Sequence, residues 1–176
     1  MIKYFGTQLI NCVYYLKYLK VTNIIDKHTS RFKEVFNDGQ DKSLSEYLYK
    51  NKIYGLTHFV IAGTNYYQKY TSMKEFGWII NYFKKNIKTI LKRTDPDISS
   101  EVGLCFKLCK CSSKKETDLI RQYLIKHYNK KLGYIPKYNG RMNPSEHTAA
   151  VSYLFLSDFK KLYKGPKLTK IINQKI

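Results

Sequence analysis

Arginine is scarce in this chain: of 32 basic residues only Arg31, Arg93, Arg121 and Arg141 are arginine, and the rest are lysine. Phosphate and base recognition draws on arginine because its planar fork engages two oxygens at once. Acidic residues are few as well, 13 against 32, which leaves a formal charge of +19. Such a charge suits a nucleic acid, an anionic membrane surface or an acidic partner. A composition rich in Lys, Tyr, Ile and Asn is equally the product of AT-rich coding, so the charge has two readings.

Other absences narrow the class further. No apolar run approaches the roughly 18 residues of a membrane-spanning helix, and the opening Met-Ile-Lys-Tyr-Phe-Gly-Thr-Gln does not resemble a secretory signal. These features predict a soluble, cytoplasmic protein without a transmembrane segment. The four cysteines, Cys12, Cys105, Cys109 and Cys111, make no disulfide framework. The C-x3-C-x-C cluster lacks the paired C-x2-C hooks of structural zinc sites, and buried, reduced thiols are expected there. There is no sustained period-two alternation, and Asp38-Gly39 and Asn139-Gly140 lie between helical patterns rather than between strands.

What the chain does contain is helical periodicity. A length of 176 residues suits one domain, predicted over 1–163 with a basic tail over 164–176. N-terminal helices occupy residues 1–53. Phe5, Leu9, Cys12, Val13, Leu16 and Leu19 recur at three and four between Lys3 and Lys20, and Ile25, His28, Phe32, Val35 and Phe36 do so between Asn23 and Phe36. Ser43-Leu-Ser-Glu46, Ser72-Met-Lys-Glu75 and Ser113-Lys-Lys-Glu116 have the form of capping boxes. Gly55 is expected to end one helix, and Leu56 to Tyr70 to form another, central one, whose least apolar strip carries His58 and Asn65. The helix after Ser72 turns Phe76, Ile79, Ile80, Phe83 and Ile87 inward and lysines outward. Residues 129–143 form a long irregular connection bearing Tyr134, Tyr138 and Arg141, and Asn143-Pro144 opens a last helix reaching Leu162. The fold class is all-α, with about eight helices in antiparallel hairpins.

The stretch from Asp95 to Cys109 organises the functional reading. Asp95 caps a helix whose first residue is Pro96, where a missing N–H costs nothing. Ile98, Val102, Cys105, Leu108 and Cys109 make an apolar stripe, and Glu101 lies on its edge. A carboxylate turned toward a core needs a partner or a proton. His58, Glu101 and His147 fall at intervals of about 45 residues, each expected near a helix start, a period typical of stacked helix pairs. They are predicted to converge on one cavity.

Here the chain resembles the helical-hairpin repeats of α/α-toroid proteins, the architecture shared by terpenoid cyclases, protein prenyltransferases and several sugar-processing enzymes. The resemblance covers about residues 54–163. It is carried by the alternation of helices, by Asp97-Ile-Ser-Ser-Glu-Val-Gly-Leu-Cys-Phe and by Glu146-His-Thr-Ala-Ala-Val-Ser-Tyr-Leu. It implies a partial ring or open stack with acidic residues and histidine at its mouth. The D-x-D-D acid motif of the cyclases and the zinc set of the prenyltransferases are absent, so no catalytic residue carries over.

The residues themselves allow three roles. Glu101, His147 and His58 can perform acid–base catalysis of a hydrolase, lyase or cyclase type, with Asp97, Arg141, Tyr134 and Asn65 binding a small-molecule ligand. The same three side chains suit zinc or ferrous iron, with Asp97 as an extra ligand, and the residues name no other cofactor. Alternatively Glu101 pairs internally and holds two helices in register. The rival functions are a nucleic-acid-binding protein using its lysine faces and an interaction scaffold without chemistry.

Overall fold

The computed structural model describes residues 1–137 and 145–165, and within them the chain is all-helical. Seven α-helices are present among the described residues: α1 (Ile2–Tyr18), α2 (Ile25–Val35), α3 (Glu46–Gly63), α4 (Met73–Arg93), α5 (Pro96–Leu108), α6 (Lys114–His127) and α7 (Glu146–Leu156). These residues contain no β-strand, only an isolated bridge between Asn129 and Tyr134. The chain divides into two compact units, Met1–Lys69 with the segment from Leu162, and Tyr70–Lys161.

In the first unit α1 and α2 pack with α3 around Ile10, Tyr14, Phe32, Ile53, Phe59 and Val60, all buried. Gly55 does not end a helix, which is why seven helices stand where about eight were expected. A Cβ there would lie 2.7 Å from the Phe32 ring, so glycine at this position lets Phe32 approach the middle of α3. Lys52, also on α3, is fully buried and donates to Asp38 and Asp41 at 2.6 Å each, which ties the short 3-10 turn Asp38–Gln40 to the helix. Cys12, placed on the apolar stripe of α1 by its spacing, is exposed, because Ile10, Val13 and Tyr14 form the face that packs.

Helix ends in this chain use side chains other than glycine at the left-handed position. After α1, α3 and α5 the residue past the cap is Lys20, Asn65 and Lys110, with φ of 60°, 54° and 50°. Each end closes with the paired bonds of a Schellman motif; after α5 these run from Lys110 N to Lys107 O and from Cys111 N to Phe106 O. The helix starts are also simpler than capping boxes. Ser45, not Ser43, caps α3 through Leu48 N, while Ser72 and Ser113 make no side-chain capping bond.

The second unit is built around α5. Every residue from Pro96 to Phe106 is buried, including Asp97, Ser99, Ser100 and Glu101, so the expected apolar stripe is a helix enclosed on all sides. α4 covers it with Ile79, Ile80, Phe83, Ile87 and Ile90, and α6 with Ile120 and Leu124. α7 crosses at Gly103, where a Cβ would lie 2.4 Å from the Phe155 ring. α7 stops at Leu156, short of the expected Leu162, and Lys107 Nζ takes the carbonyl of Ser157 at 2.5 Å.

Candidate functional site

Asp95 accepts from Ile98 N at 3.2 Å and opens α5, as its sequence indicates, with Pro96 in the first turn. That start fixes Asp97 in the first turn and Glu101 one turn later, on the side that meets α7. α7 begins just before His147, so its first turn delivers His147 and Thr148 to the same place. Close packing of Phe155 on Gly103, and a 2.8 Å hydrogen bond between the Ser100 and Ser152 hydroxyls, set the helix spacing that permits this meeting.

Asp97 is the centre of the cluster. His147 Nδ1 lies 2.8 Å from its Oδ1, Thr148 Oγ1 donates to the same oxygen at 3.0 Å, and Lys137 Nζ donates to Oδ2 at 3.1 Å. His147 Nε2 lies 3.8 Å from Glu101 Oε1. Both carboxylates have side chains 1% exposed, whereas that of His147 is 55% exposed. An imidazole thus bridges two buried carboxylates one turn apart and turns an edge to solvent.

The electrostatics follow from this arrangement. Burial pushes the Asp97 carboxyl upward, but the hydrogen bond and charge of His147, with Lys137 adding to both, hold it below the ordinary aspartate value. His147 is raised above the ordinary histidine value, first by its hydrogen bond to Asp97; partial burial opposes this, and the charges of Asp97 and Glu101 reinforce it. The shift widens the pH range over which the ring is protonated, with Nδ1–H committed to Asp97.

The residues expected to converge divide between the two units. Glu101, His147 and Asp97 meet in the second. His58 belongs to the first, in the second half of α3 rather than near its start, because α3 already begins at Glu46. Its Nδ1 lies 3.0 Å from Asn11 Oδ1, and its ring meets Tyr54 edge-on. Asn65, at the left-handed end of α3, donates to Gln68 Oε1. The Tyr134 carbonyl closes a turn by accepting from Asn129 N. Arg141, with Tyr138 and the Asn143 cap, lies outside the described residues. Lys137 and Thr148 are site residues that spacing did not reveal: Lys137 sits on an irregular connection, and the only sign of Thr148 was its place beside His147.

Among the described residues no group of three or more His, Cys, Asp or Glu side chains is arranged to hold a metal ion. All four cysteines are thiols rather than disulfides. Burial raises Cys105 well above the ordinary thiol value and Cys109 to about 12, so neither is a thiolate near neutral pH. Cys111 is half-buried, 3.2 Å from the Ser113 hydroxyl.

Fold and site together define an all-helical protein with an acidic, histidine-bridged cluster at a helix crossing. The family model for a domain of unknown function, DUF3541, matches residues 1–176, and the chain belongs to that family. No curated protein and no solved structure matches it.

Proposed function

We propose that the Asp97, Glu101 and His147 cluster is an acid–base site for a small molecule, with His147 as the general acid. One observation carries this reading: a half-exposed imidazole is seated on two carboxylates with side chains only 1% exposed. A ring serving only to join helices needs no solvent-facing edge and no second carboxylate. Asp97 fixes the ring and keeps Nδ1 protonated. Nε2, at 3.8 Å from Glu101, is outside hydrogen-bond length and remains able to donate to a ligand oxygen arriving at about 3 Å. Once that proton is given, the neutral ring retains its bond to Asp97 and is recharged from solvent. Protonation of a leaving oxygen fits hydrolase, lyase or cyclase chemistry, and the toroid resemblance points to the same type of site.

A panel of acyl, glycosyl and phosphoryl esters, together with elimination substrates, tests the reading. Turnover by the wild type that is lost in H147Q and E101Q, both folded by circular dichroism, supports it. No turnover across the panel, or turnover unchanged in H147Q, contradicts it.

A second reading, nucleic-acid binding, has one specific support. Lys84, Lys85, Lys88 and Lys115 line a cleft of about 200 Å³ at α4 and α6, with Glu116 the acidic residue there. Binding through it weakens steeply with salt because neutralised phosphates release counterions.

A further inference from the structure

The second unit carries a larger cleft, of about 380 Å³, lined by Tyr70, Lys107, Lys110, Asp158, Phe159 and Lys160. It lies at the C-terminal end of α5, whereas the acid–base cluster sits at the opposite end of that helix. Its volume falls in the range of small-molecule sites, roughly 300–1,000 Å³. We propose that this cleft binds a phosphomonoester bearing a planar ring, a ligand of mononucleotide size.

Charge and walls each point that way. Three lysines against one aspartate leave a formal surplus of two positive charges, which matches a phosphomonoester carrying about −1.5 to −2 at neutral pH. Two of those ammonium groups already lie on aromatic rings. Lys110 Nζ is 4.6 Å from the centre of Tyr70, and Lys107 Nζ is 5.2 Å from that of Phe159 and 5.4 Å from that of Phe155. Cation and ring are thus adjacent on the cleft wall, the pairing that takes a phosphate and a flat ring together. Lys107 is further fixed by its bond to Ser157 O. Its ammonium is partly stripped of water, and burial lowers its pKa while Asp158 opposes that effect; such a cation gains most from an incoming dianion.

The backbone at Lys110 provides a control for the test. With φ of 50° it occupies the C′ position of a Schellman motif, where glycine is favoured and a side chain adds strain. Lys20 occupies the same position after α1 and serves as the control.

The test is calorimetric titration of the full chain with adenosine monophosphate, inorganic phosphate and adenosine, in the wild type and in K110G, K110Q, K160Q and K20G. The proposal expects the nucleotide to bind at least about tenfold tighter than either fragment. It expects about tenfold weaker binding in K110G, K110Q and K160Q, as for loss of one charge-assisted contact, and no change in K20G. K110G is also expected to melt at a higher temperature than the wild type, which separates lost binding from lost folding. Nucleotide binding no tighter than that of inorganic phosphate, or binding unchanged in K110G and K110Q, overturns the proposal. So does an oligonucleotide that binds tighter than the nucleotide with or without a 5′-phosphate, since the surface would then be reading a backbone.

Discussion

Asp97 on α5 and His147 on α7 meet at 2.8 Å, the buried carboxylate holding one side of a ring whose other nitrogen faces Glu101. The stability this pair contributes depends on pH at both ends. The Asp97 pKa is depressed on folding, so its share is present above the ordinary aspartate value and disappears as pH falls through the folded value. The His147 pKa is raised, so its share is complete below about 6.5 and is lost as pH rises through the folded value. Melting temperatures of wild type and H147Q, followed across pH, are expected to differ most in mildly acid solution and to converge above the His147 pKa. A difference that grows with pH would reverse the assignment.

Gly103 and Gly55 are expected to resist substitution for the same reason, a ring lying where a Cβ would stand. G103A places that atom 2.4 Å from Phe155 and G55A places it 2.7 Å from Phe32, so each is expected to destabilise its unit by about 1–3 kcal/mol. Denaturant titration checks this. A stabilised G103A, as helix propensity alone would give, would mean that the crossing of α5 and α7 is looser than described.

Much of the second unit is legible before any coordinates. Asp95-Pro96 marks the start of α5, the inward set from Phe76 to Ile87 marks the buried face of α4, and Glu101 and His147 are recognisable as polar residues on packed helices. The misreadings have physical causes. Gly55 reads as a stop because glycine disfavours helix interiors, yet here it admits an aromatic ring from another helix, and sequence spacing cannot show that contact. The ends of α1 and α5 are legible to within two residues, although lysine stands at the left-handed position where glycine is usual. His58 shares an interval with Glu101, but an interval taken from the wrong helix start carries no geometry. By spacing Asp97 is an auxiliary group, although its first-turn position makes it the acceptor for three donors.

Lys52 and its two aspartates predict an asymmetry. Its side chain is 1% exposed, whereas that of Asp38 is 71% exposed and that of Asp41 16%. Replacing both aspartates with asparagine takes these two ion pairs from a buried ammonium and is expected to cost about 3–5 kcal/mol, whereas K52M leaves Asp38 in water and only Asp41 enclosed and is expected to cost less. Equal losses in the two variants, measured by chemical denaturation, would show that the pairing is incidental.

Thiol chemistry separates the cysteines. Cys12 is exposed and Cys111 half-buried, while Cys105 and Cys109 are buried with raised pKa values. Alkylation of the native protein, read by peptide mass spectrometry, is expected to label Cys12 first and to spare Cys105 and Cys109 until the chain unfolds. Early labelling of Cys105 would contradict the enclosed position of α5.

The most direct measurement is a nuclear magnetic resonance titration of the His147 ring in the wild type, D97N and E101Q. The account predicts a wild-type pKa above the ordinary histidine value, a clear fall in D97N and a smaller one in E101Q. A wild-type value at or below about 6.5 that neither substitution moves would contradict it.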